Sequence, residues 1–355
     1  MPTFNIIKTA EPKKTFRVAS IMGKFDLESN QIKEHFEGNI DIKDNWQIGL
    51  IVGKSGSGKT TIAKQLFPES YITNFEYSSE TILDDMPKNC SVEDITKAFN
   101  SVGFSSPPSW LKPYSVLSNG EKMRVDLARA ILEEQNLFVF DEFTSVVDRN
   151  VAKIGSFAMQ KAIRKTNKQF IAVTCHYDVE EWLLPDWVFD TDSMTFRSND
   201  GQKKNRPDIK FEIFQTNDKS IWKVFAKHHY LSHSHNNSAT VFSSFVNDQL
   251  CGMCSVLHFP HPTAKTIKKV HRLVILPDYQ GLGIGMLFLN EIGKYYVKNG
   301  WRFTIVTSAP SLMFGLKKDK NWSCKHFGRM TKHGGLKETK NNNSSNRLTT
   351  SWELT

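Results

Sequence analysis

The sequence predicts two domains in tandem: an α/β domain with a mainly parallel sheet over residues 1–203, then an α+β domain over residues 207–355. Three observations lead there. A chain of 355 residues is too long for one typical domain and long enough for two, each with its own core. Short apolar strands alternate with helical stretches before residue 197, the order of a parallel sheet. The segment Arg197–Pro207 (RSNDGQKKNRP) is polar apart from its turn-forming Gly and Pro and has no periodicity, as a linker does.

Taken in order, Ile48–Val52 reads as a strand and Thr60–Leu66 as a helix. Asn119–Glu134 reads as a helix, with strands at Asn136–Phe140 and Phe170–Thr174. Beyond the linker come strand Lys210–Phe214, helix Ser220–His228, and strands Ala239–Phe245, Leu250–Leu257 and Thr266–Leu276. Helix Gly283–Lys298, strand Arg302–Thr307 and a short helix near Leu312–Lys318 follow. Strands Trp322–Met330 and Arg347–Leu354 flank a basic Gly/Asn-rich loop, Lys332–Asn343. No repeat of 20–50 residues is present.

A hydrophobic content of 39% and a charged content of 23% are those of a soluble globular protein. No run of about 18 apolar residues spans a membrane, and the first residues lack the apolar core of a signal peptide. Five cysteines, an odd number without framework spacing, suit a reducing compartment. The expectation is a cytoplasmic protein without a membrane partner.

Gly53-Lys54-Ser55-Gly56-Ser57-Gly58-Lys59-Thr60 fits GxxxxGK[ST] at each fixed position, between a strand and a helix. Its glycines let backbone N–H groups curl around phosphates, and the helix start at Lys59-Thr60-Thr61 adds positive potential. Lys59 is expected on the β- and γ-phosphates of ATP and the Thr60 hydroxyl on Mg²⁺. Downstream, the apolar strand Leu137–Phe140 ends in Asp141 and Glu142. Asp141 is expected on Mg²⁺ and Glu142 on the attacking water. Leu117-Ser118-Asn119-Gly120-Glu121 opens a helix; Ser118 is placed to cap it and to offer its hydroxyl to a phosphate. His176 follows a strand end, beside the γ-phosphate.

In this order the motifs resemble those of the ABC ATPase family. Walker A is Gly53–Thr60, the signature Leu117–Glu121, Walker B Phe138–Glu142, the D-loop Ser145–Asp148 and the switch histidine His176. The resemblance covers residues from about 15 to 195. It implies a head-to-tail homodimer with ATP sandwiched between subunits, Ser118 and Gly120 of one covering the γ-phosphate held by the other. Phe25 lies where the family's adenine-stacking aromatic sits; a core role is the alternative. Three departures stand out. The signature reads LSNGE, no Gln lies between Gln65 and the signature, and only 57 residues separate Thr60 from Ser118. The last points to a cut-down arm and to a soluble ABC protein of the SMC or repair type rather than a transporter engine.

In the second half, the apolar strand Leu273–Leu276 stops at Pro277-Asp278-Tyr279. Gln280-Gly281-Leu282-Gly283-Ile284-Gly285 then leads into an amphipathic helix, a ready pyrophosphate cradle. This resembles the acyl-CoA loop [QR]xxGx[GA] of the GNAT acyltransferase family, and the element order over 208–355 fits that fold. The resemblance implies acetyl-CoA or another acyl-CoA, with pantetheine along the strand that ends in Ile275 and Leu276 and pyrophosphate on the amides of residues 282–286. Many members use a tyrosine on the helix after the fifth strand; the corresponding Phe314–Lys318 has none. Ser308 or Ser311, acting through a water, and His271, His228, His229 or Tyr230 are the candidates for acid and base. Cys251 and Cys254, with His258 and His261, invite a zinc reading, against which stand the lack of a second CxxC and a segment that reads as a strand with alternating faces.

Net charge divides sharply. Residues 205–355 hold 21 Lys+Arg against 9 Asp+Glu, a net of +12, leaving 25 basic and 28 acidic residues, a net of −3, for the remainder. Such asymmetry suits a polyanionic partner, most simply nucleic acid, and equally a solubilising surface or attraction of CoA phosphates. Lys317, Lys318, Lys320, Lys325, Arg329, Lys332, Lys337, Lys340 and Arg347 gather at the C-terminal end. The segments His228–Tyr230 and His271–Leu273 resemble those of Mom-type phage enzymes, which modify DNA bases. An ATP-regulated acyltransferase acting on nucleic acid is thus the first expectation. Acylation of a protein or small amine, or an ATP-driven nucleic-acid clamp with a non-catalytic second domain, are the alternatives.

Overall fold

The computed structural model describes residues 3–10, 13, 15–26, 32–43, 45–72, 74–199, 209–229, 234–261, 266–329 and 348–355. Its elements begin with β1 (Thr3–Ala10), α1 (Phe16–Lys24), β2 (Ile32–Asn39), β3 (Ile48–Val52), α2 (Lys59–Leu66) and β4 (Tyr71–Ile72). Next come α3 (Val92–Ser101), α4 (Pro107–Trp110), α5 (Asn119–Leu132), β5 (Leu137–Phe140), α6 (Arg149–Ile163), β6 (Gln169–Thr174), α7 (Val179–Leu183), β7 (Trp187–Asp190) and β8 (Thr195–Ser198). The remainder is β9 (Phe211–Thr216), α8 (Trp222–Phe225), β10 (Thr240–Val246), β11 (Gln249–His258), β12 (Ile267–Ile275), α9 (Ile284–Lys298), β13 (Arg302–Thr307), α10 (Pro310–Lys318), β14 (Trp322–Arg329) and β15 (Leu348–Leu354). The chain forms two compact units: residues 1–76 with 133–206, and residues 77–132 with 207–355. The stretch 77–132, which includes the Ser118 motif, therefore packs with the C-terminal half. Most of the expected linker, residues 200–207, and the whole Lys332–Asn343 loop lie outside the described residues.

The first unit is built on a sheet of order β4-β5-β6-β3-β7-β8, parallel except for the β7–β8 pair. Strand β3 has neighbours on both sides and is buried along its whole length, which is why IGLIV carries no polar residue. Gly49 is required there, because a Cβ would lie 2.1 Å from the Trp187 ring. Helix α2 follows β3 and buries Ile62 and Ala63 against Ile51, Val139, Ile171, Val173 and Phe189. The antiparallel pair β1–β2 joins the same core through Phe4 and Phe36. Parallel register aligns Val52 with Thr174 and Phe140 with Ala172, so β3, β5 and β6 end along one edge. Ligands of open parallel sheets bind at that edge.

The second unit holds a seven-stranded sheet of order β14-β15-β13-β12-β11-β10-β9, antiparallel except at β12–β13. Phe288, Leu289, Ile292 and Tyr296 of α9 pack with Phe242, Val256, Phe303, Ile305, Trp322 and Trp352 in one core. A second, smaller core joins Trp222 and Phe225 to Val241, Met253 and Val274. The helix expected over Ser220–His228 is a single α-turn, α8, between two 3₁₀ turns. Trp222 and Phe225 are its buried residues, and the β-branched Ile221 and Val224 add little helical propensity. Ahead of the sheet in sequence, α3 and α5 enclose Ile95, Phe99, Met123 and Leu127, with Phe104 and Trp110 against Phe99.

Candidate functional site

In the first unit the loop 53–58 runs from β3 into α2. Gly58 caps that helix with φ +86°, and a Cβ there would lie 2.5 Å from the Phe36 ring, so only glycine fits. No side chain caps the helix, which leaves its first amides free for an anion. Lys59 is buried and donates to the Lys54 carbonyl at 2.6 Å, folded back across the loop. Ser57 Oγ donates to the same carbonyl at 2.9 Å and shares a 2.5 Å bond with Thr191 Oγ1. A Cβ on Gly53 would lie 2.1 Å from that Thr191 oxygen. The Asp192 carboxylate receives Lys54 N–H, and Tyr177 donates to Asp192 at 2.9 Å. Ser55 and Gly56 are exposed and Thr61 is half-buried.

The carboxylates stand beside this loop. Thr60 Oγ1 donates to Asp141 Oδ2 at 2.8 Å, joined at that oxygen by the Tyr71 hydroxyl. Burial first, then the Asp141 charge, raise the Tyr71 pKa, so the phenol stays protonated and remains a donor. Glu142 N–H donates to Asp141 Oδ1 at 2.9 Å, and Ser145 Oγ donates to the exposed Glu142 carboxylate at 2.5 Å. Glu142 and Thr144 both take left-handed conformations, φ +52° and +67°, which turn the chain sharply at the end of β5. Such residues cost of order 1–3 kcal/mol each and persist where their surroundings hold them. His176 comes two residues after Thr174, the register partner of Val52, and its N–H donates to Thr174 Oγ1 at 3.2 Å. Thr60 and Asp141 are thus in contact, an oxygen-only donor pair that fits a hard Mg²⁺ ion. Phe25 is 63% exposed at the end of α1, a surface position and not a core one.

The second unit brings the Ser118 motif and the 276–283 loop into one body. Ser118 and Glu121 form a capping box: Ser118 N–H and Oγ reach Glu121 Oε2 at 3.0 and 3.1 Å, and Glu121 N–H reaches Ser118 Oγ at 3.3 Å. Glu121 Oε1 also accepts from Ser109 Oγ at 2.9 Å. The Ser118 hydroxyl, expected on a phosphate, is therefore engaged here by the residue that departs from the family's signature. Gly120 is buried in the first turn of α5.

Strands β12 and β13 pair with each other only over Ile267–Lys269 and Arg302–Thr304; past these residues β12 runs on to Ile275 paired with β11 and β13 to Thr307 paired with β15. There the facing edges of β12 and β13 carry no ladder bonds to each other. Against β11, β12 bulges: Val270 faces Val256 and Arg272 faces Ser255, with His271 unopposed. Beyond β12 Gln280 is fixed at both ends, donating to Ile275 O and accepting from Ser105 N–H, each at 2.9 Å. Gly281 and Gly283 take φ +88° and +89°, and Gly283 caps α9 without any side-chain cap. Its 15-residue helix thus presents free amides, as α2 does. Ile275, Leu276, Leu282 and Gly285 are half-buried and Ile284 is buried.

Ser308 directly follows β13. His271 Nε2 accepts from Asn236 N–H at 3.3 Å, and its ring lies 5.7 Å from that of His235. Burial, then Arg272 and His235, lower its pKa to about 4. A neutral ring with a committed lone pair is a poor general base. It does make a prediction. Between pH 6.5 and 4 the unfolded chain binds a proton at His271 that the native chain refuses. Stability is therefore intact above about pH 6.5 and falls as pH drops toward 4. Calorimetry at pH 7 and pH 5 should show the loss, and His271→Gln should reduce it; an equal loss in the variant refutes the assignment.

The remaining expectations sort by geometry. Cys251 and Cys254, three apart on β11, fall on opposite faces: Cys254 in the α9 core, Cys251 beside Ser244 at 3.2 Å. They cannot share a metal. Burial lowers the His228 pKa, and Tyr230 lies outside the described residues. Lys317 and Lys318 are exposed in the last turn of α10, where cations suit the helix dipole; Lys320 and Lys325 are exposed nearby. Lys332, Lys337, Lys340 and Arg347 lie outside the described residues. Tyr71, Thr191 and Asp192 were not foreseen; no motif marks them, because only the folded sheet brings them to the loop.

Comparison with known proteins decides the families. The pattern of the family described as ABC transporter matches residues 65–145, and that of the Acetyltransferase (GNAT) family matches residues 205–310. The chain carries an ABC-type ATPase domain and a GNAT-type acetyltransferase domain. Both belong to enzyme families. Among its relatives, the energy-coupling factor transporter ATP-binding protein EcfA of Malacoplasma penetrans is 24% identical over 236 residues, 52% of this chain and 75% of that protein. The aliphatic sulfonates import ATP-binding protein SsuB 2 of Frankia alni is 27% identical over 154 residues, 38% of this chain. EcfA1 of Listeria monocytogenes is 26% identical over 179 residues, 39% of this chain. The match spans 61% and 62% of these last two proteins. All three are transporter ATP-binding proteins, where the sequence had suggested SMC or repair proteins. Among solved structures, a dimeric post-hydrolysis ATP-binding cassette, MJ0796 with ADP and Pi, aligns with TM-score 0.39 at 16% identity over 53% of this chain and 92% of its own. A putative GNAT acetyltransferase from Desulfovibrio desulfuricans aligns with TM-score 0.31 at 10% identity over 41% of this chain and 98% of its own. Among the described residues no helix is long and apolar enough to cross a membrane.

Proposed function

We propose that this protein binds and hydrolyses ATP in its ABC domain and couples that cycle to an acyl-CoA-dependent N-acyltransferase in its GNAT domain. The observation that carries the first half is the bond from Thr60 to Asp141, beside a helix whose free amides face the 53–58 loop. The amides of 53–61 and Lys59 hold the phosphates of ATP, with Phe25 available to its adenine. Thr60 and Asp141 would hold Mg²⁺, which would supply charge neutralisation for the phosphates of ATP. Glu142, oriented by Ser145, takes the proton of the attacking water; His176 steadies the γ-phosphate. Ser118 and Gly120 of a second copy complete the sandwich, so the active form is an ATP-dependent homodimer.

In the GNAT domain the amides of 282–286 receive the pyrophosphate of acetyl-CoA or a related acyl-CoA. The pantetheine lies along the edge of β12 that β13 no longer pairs, past Ile275 and Leu276, where its amides can pair with backbone. The acceptor amine attacks the thioester carbonyl; the C–N bond forms, the C–S bond breaks, the amine proton goes to a base and the thiolate takes a proton. Ser308, which directly follows β13, relays one of these protons through a water.

The net charge of +12 over residues 205–355 and the exposed lysines 317, 318, 320 and 325 favour an anionic acceptor, and we propose nucleic acid. A protein or small amine is the competing acceptor. The absence of a tyrosine in 314–318 and the committed His271 lone pair favour a third reading, an ATP-driven nucleic-acid clamp whose GNAT domain only binds. The test is acetyl-CoA turnover with ATP and Mg²⁺, with and without DNA and RNA. CoA release that requires nucleic acid supports the leading reading. Release with protein or small amines alone supports the second, and ATP hydrolysis stimulated by nucleic acid without CoA release supports the third.

A further inference from the structure

The acyl-CoA loop is held from behind by the segment that carries the Ser118 motif. Gly103, at the end of α3, takes φ +84°, and a Cβ there would lie 2.5 Å from Gln280 O and 3.4 Å from Gly281 N. Two backbones meet there with no side chain between. Two residues on, Ser105 N–H fixes Gln280 Oε1, while Gln280 Nε2 is tied to the end of β12. Gln280 is thus a strut whose far end rests on residue 105, and Gly281–Gly285 hang from it.

Arg124 is the second support. It lies on α5, six residues after Ser118, and its side chain is 1% exposed. Nη2 donates to Asp278 O at 3.0 Å, and Nη1 lies 3.6 Å from Asp278 Oδ1. Among the described residues, Nε and Nη1 make no hydrogen bond. A buried guanidinium with one hydrogen bond and a half-exposed carboxylate partner is a poor source of stability. Its position explains it better: it pins the turn Pro277–Tyr279 that sets the direction of the loop.

We infer that Arg124, Ser105 and Gly103 are positioning residues of the acyl-CoA loop, and that through them acyl-CoA affinity is coupled to closure of the ATP sandwich on Ser118. The inference rests on the function proposed above. Ser118 and Arg124 share one helix, so a partner's ATP that draws on the helix start displaces the support of Asp278 and Gln280. Coupling of this kind is reciprocal: ATP alters acyl-CoA affinity by the factor by which acyl-CoA alters ATP affinity.

The experiment uses the full chain with Glu142→Gln, so that bound ATP persists. Calorimetry measures the acetyl-CoA Kd with and without ATP and Mg²⁺. The expected ratio is about fivefold or more. Arg124→Met keeps the buried volume and removes the charge, so folding survives. It should bring the ratio within about twofold while ATP still produces a dimer on sizing chromatography. Arg124→Lys, which keeps the charge and one donor, should restore part of the ratio. Asp278→Asn, at a half-exposed side chain, keeps an acceptor oxygen toward Arg124 and is a second variant that should lower the ratio. Equal acetyl-CoA affinity with and without ATP in the parent, or a full ratio in Arg124→Met, overturns the coupling alone. Failure to bind either ligand overturns it together with the proposed function.

Discussion

Glu142→Gln should abolish ATP turnover, leave ATP binding intact and trap the ATP-loaded chain as a dimer. The carboxylate is exposed at the end of β5, beside Asp141 and Thr60, and is oriented by the Ser145 hydroxyl. Glutamine has the same shape and its Oε1 can still accept from Ser145, so the local fold is kept. An amide cannot take a proton from water, and loss of a general base lowers rates by about 10²–10⁴-fold. The substitution also removes a negative charge from beside the γ-phosphate, which favours the closed sandwich. Phosphate release measures the first effect and sizing chromatography with ATP and Mg²⁺ the second. Retained turnover overturns the role of Glu142; a monomer with ATP overturns the sandwich.

The parts of this site that read directly from sequence are those whose chemistry is local. A loop of three glycines between an apolar strand and a helix has one use for its free amides, and Gly58 meets Phe36 because nothing larger fits. Strand β5 and its two acids read the same way, since a fully apolar run ending in Asp141-Glu142 must project them from the sheet edge. Tyr71 and Asp192 did not read, because they reach the loop only through strand pairing between distant segments. Strand pair β1–β2 does not read for a related reason: IKEHFEGN has few apolar residues, and the pair joins the core through Phe36 and Phe4. Arg124 does not read from sequence either, because nothing in its spacing marks it as buried against a turn 154 residues away. His271 drew attention as a candidate base, yet its place in a bulge, receiving Asn236 N–H, is a tertiary fact.

The two proposed phosphate cradles use one device. Lys59 and Ile284 each open a helix behind a left-handed glycine, at φ +86° and +89°, and in both the cap contributes no side chain. The Ser118 helix does the opposite: its first turn is closed by its own glutamate. An anion approaching Ser118 meets a carboxylate, so in the proposed sandwich a γ-phosphate with its counter-ions must outcompete the capping box. On that proposal Glu121 has a physical part in setting how readily ATP closes the dimer.

The same device makes Gly283→Asp the most damaging change in the second domain. Aspartate tolerates the left-handed region better than most residues, so the backbone cost stays near 1–2 kcal/mol. Aspartate is also a good N-cap, and α9 itself should survive. Its carboxylate would accept the amides at the helix start and fill the anion site with the protein's own charge. A like charge about 4 Å from a pyrophosphate oxygen costs about 4 kcal/mol at the effective dielectric of a protein surface. Acetyl-CoA affinity should therefore fall by at least about 100-fold, a loss of roughly 2.7 kcal/mol. Gly283→Asn separates the terms, since it caps the helix in the same way without the charge and should lose less. Calorimetry with acetyl-CoA reads the affinity, and circular dichroism checks that the helix content is kept. Undiminished binding in Gly283→Asp would remove the pyrophosphate from this helix and send it to another part of the basic half.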